Sequence, residues 1–102
     1  MAEKTEFMDV LEQAITAFCA AVTRAELEII AWSPTGFVNW YNEAKSRQLN
    51  VSLGLDAAEK YPPEDRDALL RLEQRNLASL QKLSSLKDSA TKLLGITWEE
   101  QK

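Results

Sequence analysis

Between Glu64 and Leu94 apolar residues recur in steps averaging close to 3.6, and no other stretch narrows the possible folds as much. Leu69, Leu72, Leu77, Leu80, Leu83, Leu86, Ala90 and the pair Leu93 and Leu94 therefore stay on one side of a straight α-helix. Pro62 and Pro63 suit a first turn and nothing deeper, while Glu64, Asp65 and Asp67 put negative charge at the positive end of the helix dipole. Lys87 and Lys92 stand near the far end, and Gly95 offers a left-handed stop. The spacing predicts a helix over 63–94, a rod of roughly 45 Å at about 1.5 Å per residue. A rod that long must lay its stripe against another element.

Composition limits what that element belongs to. A chain of 102 residues is long enough for one domain with its own core, here residues 1–102. With 45% apolar residues and only three glycines and three prolines, it is neither disordered nor loop-rich. It has no histidine, which removes the commonest general base and the commonest metal ligand together. Its single cysteine, Cys19, has no internal disulfide partner and suits a reducing compartment. The start, with Glu3, Glu6 and Asp9, lacks the apolar run of a secretory signal. No stretch approaches the roughly 20 apolar residues of a membrane span.

The net charge of −4 is unevenly placed. Residues 1–34 carry six acids against two bases, whereas acids and bases balance in 35–61 and again in 62–102. A surface for nucleic-acid phosphates needs the opposite sign, so nucleic acid is not an expected partner.

The first helix is expected over about 5–31. Met8, Leu11, Ile15, Phe18, Val22, Ala25, Ile29 and Trp32 alternate steps of three and four, a heptad seam. Such a seam needs a long antiparallel partner, and the leucine helix is the expected one. At Trp32-Ser33-Pro34 the pattern breaks. Ser33 suits an N-cap and Pro34 the first position of a new helix. That second helix is expected over 34–53, ending at Gly54, with Phe37, Tyr41, Ala44, Val51 and Leu55 on one face and Gln48 interrupting it. Leu55 to Tyr61 then forms a connector, and 96–102 a tail containing Trp98. The fold class is all-α, an antiparallel three-helix bundle whose long first and third helices are coiled-coil-like.

No residue set suggests catalysis. Glu26 with Glu28, and Glu64 with Asp65, lie one or two apart and cannot face each other on a helix as an acid–base dyad. No glycine-rich phosphate loop, Ser-His-Asp set or metal-ligand cluster occurs, so no enzyme activity, cofactor or metal is expected. Cys19 reads as a small buried hydrophobe. Asn76, beside Leu77 at the edge of the stripe, either fixes register at a helix seam or sits half-exposed. Of the three tryptophans, Trp32 is expected in the core, and Trp98 either docks on its own bundle or contacts a partner.

Three segments, taken in order, carry a resemblance. They are Glu26-Leu27-Glu28 leading into the break, then Phe37-Val38-Asn39-Trp40-Tyr41-Asn42-Glu43-Ala44-Lys45, then Leu72-Glu73-Gln74-Arg75-Asn76-Leu77-Ala78-Ser79-Leu80. Their order resembles the FlgN family of flagellar type III export chaperones, over roughly Leu11 to Leu94. The resemblance implies a cytoplasmic protein without catalysis. Its partner would be a secreted hook-associated protein, held by an amphipathic helix and delivered to the export apparatus. The partner-binding residues expected on this view are Leu93, Leu94, Ile96 and Trp98, in a tail held loose until a partner arrives. Two other classes fit the same pattern. One is a helical co-chaperone or subunit of another secretion system, and the other is a structural homodimer paired through the third helix.

Overall fold

A computed structural model describes residues 2–98, with side chains from Phe7 onward. The seam of the first helix does what its spacing demands. In α1 (Ala2–Ile30), Leu11, Ile15, Phe18, Val22 and Ala25 are all buried. The helix ends in a Schellman turn. Ser33 N–H donates to the Glu28 carbonyl at 2.9 Å and Trp32 N–H to the Ile29 carbonyl at 3.0 Å. Trp32 occupies the left-handed position of that turn, with φ 56°, where glycine is usual.

Helix α2 (Pro34–Lys60) starts as expected, with the Ser33 hydroxyl accepting from Gly36 N–H at 3.1 Å and Pro34 in the first turn. Its end differs. The expected stop at Gly54 and the connector from Leu55 do not exist, because the helix runs on through both to Lys60. Gly54 is there for proximity and not for termination. A Cβ at this position would lie 2.8 Å from Leu11 Cδ1, so the missing side chain is what lets α2 close onto α1. At Gly36 a side chain would meet the Glu28 carboxylate, the free end of a long side chain that can turn aside. Eighteen residues, five helical turns, separate the two glycines, so both face α1.

Helix α3 (Arg66–Leu94) begins three residues later than the prolines suggest. Asp65 is its N-cap, accepting from Ala68 N–H at 3.0 Å, which satisfies a backbone donor that neither proline could. Gly95 closes it in the left-handed conformation, φ 66°. The buried stripe is Leu72, Asn76, Leu83, Leu86 and Ala90. Leu77, expected on it, is more than half exposed, and Asn76 holds the inward position instead.

The contacts give the helix directions. Arg24, Ala17 and Leu11 of α1 meet Trp40, Arg47 and Gly54 of α2, so the two helices run antiparallel. Thr16, Cys19 and Glu26 of α1 meet Arg75, Ser79 and Lys82 of α3, so these two run parallel. The bundle goes up, down and up. The expected antiparallel pairing of the first and third helices is therefore corrected, and α1 packs most closely with α2. The reason is side-chain size. On α2 the fully covered positions are Phe37, Ala44, Val51 and Ala58, seven apart and half of them alanine, and the two glycines lie beside them. Small residues allow close approach, while the leucines of α3 hold their helix further off. The molecule extends 50 × 29 × 17 Å, about the length of one helix. Among the described residues no helix is long and apolar enough to cross a membrane.

Candidate functional site: the apolar end of the bundle

Because α1 and α3 run parallel, both finish at one end of the bundle, and α2 begins there. Of the ten large apolar side chains that are exposed among the described residues, four lie at this end. Leu27 is 45% exposed, Ile30 69%, Trp32 66% and Leu93 55%. The expectation of a core position for Trp32 is corrected. It follows the last turn of α1, and the left-handed turn takes its side chain off the seam it would otherwise extend. A bulky residue in that conformation costs roughly 1–2 kcal/mol relative to glycine, and with Trp32 66% exposed little burial offsets it.

The four residues expected to bind a partner divide between solvent and core. Leu93 faces solvent, while Leu94, Ile96 and Trp98 are partly buried against the core. Ile96 lies beside Pro34, Thr35, Val38 and Asn39 of α2, around a shallow depression. Trp98 folds back across α2 onto an aromatic platform. Its ring centroid is 6.2 Å from Phe37, edge to face, and 5.1 Å from Tyr41, tilted. Phe37 and Tyr41 are stacked at 5.9 Å, one turn apart on α2. Lys87 Nζ of α3 stands 4.9 Å from the Trp98 ring and 5.6 Å from the Tyr41 ring, within cation–π range of both. The indole N–H donates to Thr91 Oγ1 at 2.6 Å, and the Thr91 hydroxyl donates to the Lys87 carbonyl at 2.8 Å. The tail is docked as far as Trp98, not held loose. Residues 99–102 of the expected tail lie outside the described residues.

Sequence reasoning put Phe37 and Tyr41, four apart, on one face of α2 and left Trp98 between docking on the bundle and contacting a partner; the structure docks it on these two rings. Trp40 lies off that face, as its phase on the helix predicts. This ring lies between two guanidinium groups, Arg24 at 5.3 Å and Arg47 at 5.9 Å. Arg47 in turn bonds Glu43 at 2.8 Å and the Ala17 carbonyl at 2.9 Å, so the cluster ties α2 to α1. Cys19 is half-buried, with its sulfur 2.9 Å from Ser79 Oγ across the α1–α3 contact. Glu26 pairs with Lys82 at 2.9 Å. Asn76 is buried, and its Oδ1 has no hydrogen-bond partner. Among the described residues there is no group of three or more side chains able to hold a metal ion.

Compared with protein-family models, curated proteins and solved structures, the chain matches none. The likeness to FlgN chaperones therefore stands on the three segments quoted above.

Proposed function

We propose that this protein is a non-catalytic, cytoplasmic chaperone of the FlgN type. It binds the amphipathic helical end of a secreted hook-associated protein and delivers it to the flagellar type III export apparatus. The observation that carries the binding part is the gathering of Leu27, Ile30, Trp32 and Leu93, all uncovered, at one end of the bundle. Large apolar side chains left uncovered in one region are what a site of protein association presents. An amphipathic helix whose anchors lie three and four residues apart suits it, with tryptophan the commonest strong anchor at such interfaces. Leu93 and the exposed edges of Leu94, Ile96 and Trp98 form the α3 side of the site. The flagellar destination rests on the sequence resemblance.

The test begins with capture of partners from the native cell and identification by mass spectrometry. The terminal helix of the secreted protein found is then titrated calorimetrically against the full chain. A 1:1 complex weakened at least tenfold by Ile30→Ser or Leu93→Ser is expected, about 1.4 kcal/mol. Unchanged affinity in both variants, or no secreted partner, refutes the proposal. A second reading has its own support. Leu70 and Leu77 lie seven apart on α3 and are both more than half exposed, as a homodimer paired through this helix requires. A monomer by sedimentation at high concentration excludes it.

A further inference from the structure

We propose that the Phe37–Tyr41 platform is a docking site for an aromatic anchor on the partner's helix, and that Trp98 is the occupant which that anchor replaces. This rests on the partner-binding reading above. It adds the class of side chain the partner presents and the means by which the site stays closed without one.

The platform is a complete recognition set for an indole. The Phe37 and Tyr41 rings meet it edge to face and tilted, the Lys87 ammonium lies over its face, and Thr91 Oγ1 accepts its N–H. Every one of these contacts is made by the side chain. None depends on the indole arriving from position 98.

The present occupant is held through its side chain and not by a helix. Residues 96–98 belong to no helix and follow Gly95 in its left-handed conformation. Trp98 is only partly buried, and its hydrogen bond to Thr91 is exposed. Phe37 beneath it is fully buried and belongs to α2. Opening the tail breaks a few side-chain contacts, whereas removing Phe37 breaks the bundle. Local opening of this kind costs much less than global unfolding. Ile96 lines the neighbouring shallow depression together with Pro34, Thr35, Val38 and Asn39, so a helix whose aromatic anchor replaces Trp98 could lay an aliphatic anchor, three or four residues away, against Ile96. A tethered occupant lowers the partner's apparent affinity by the fraction of time that it covers the site.

N-acetyl-tryptophanamide serves as the probe, titrated into isotopically labelled full-length wild type and Trp98→Ala and followed by NMR. Trp98→Ala is expected to bind it at least tenfold more tightly, with shifts centred on Tyr41, Lys87 and Thr91 that Tyr41→Ala abolishes. Equal titration of both proteins, or shifts centred elsewhere, overturns the proposal. Hydrogen exchange in wild type gives a result that does not require the variant to fold. The Trp98 indole N–H should exchange at least a hundredfold faster than the amides of Ala44 and Val51. Exchange at the same rate makes Trp98 ordinary core and overturns the proposal. A client that binds wild type and Trp98→Ala equally well sinks this inference alone. Absence of any client, with the probe result intact, sinks the functional reading alone.

Discussion

Replacing Asn76 with leucine should stabilise the protein, although it removes a polar group from a position where one could set helix register. The residue is 7% exposed, lies between Leu72 and Leu83 on the inward stripe of α3, and has Oδ1 buried without a partner. A buried acceptor left unpaired costs roughly 1–3 kcal/mol. Leucine has the same branched shape, so it fills the space without a cavity, and its better helix propensity adds a few tenths of a kcal/mol. The expected gain is about 2 kcal/mol, which for a domain of this size raises Tm by roughly 8–16 °C. Urea and thermal melts of Asn76→Leu beside wild type measure it, with an unchanged urea slope confirming the same surface buried. Asn76→Asp should go the other way by several kcal/mol, since it buries an unpaired charge. If Asn76→Leu is neutral or destabilising, the amide is satisfied in solution and the reasoning from its burial fails. If it is more stable but no longer a single species by sedimentation, Asn76 trades stability for a unique arrangement.

Leu83→Ala should cost about 2–4 kcal/mol in urea melts, because Leu83 is buried. Leu80→Ala should cost roughly half as much, because Leu80 is only partly covered; equal losses would contradict the observed phase of α3. Ser33→Ala should lose about 1 kcal/mol with the cap to Gly36, and an unchanged melt would show that the cap is idle. Trp32→Gly should raise stability by about 0.5–1 kcal/mol, the relief of left-handed strain less the greater freedom of glycine in the unfolded chain. The same change should weaken client binding; a stability loss above about 1 kcal/mol would mean Trp32 packs in solution.

Local chemistry made much of the architecture legible. The heptad seam of α1, the Ser33-Pro34 start of α2 and the Gly95 stop of α3 depend on side chains within one or two turns of each other, and all three stand where the sequence places them. What hydrophobic pattern could not reveal is which helices approach most closely. That depends on small side chains, and Gly36, Ala44, Gly54 and Ala58 make α2 look weak in sequence while allowing it to be the nearest neighbour of α1. Gly54 is the sharpest case. In isolation it resembles a stop, and only the position of Leu11 turns it into a point of contact. The candidate site divides the same way. Leu93 is exposed by its helical phase, but Trp32 is uncovered by a backbone conformation that periodicity does not encode. Trp98 is placed by Phe37 and Tyr41, some sixty residues earlier in the chain. Segments whose geometry follows from neighbours in sequence were determined by the sequence alone. Helix pairing and the docking of the tail required the tertiary structure, because each depends on the shape of a surface that exists only once the helices have met.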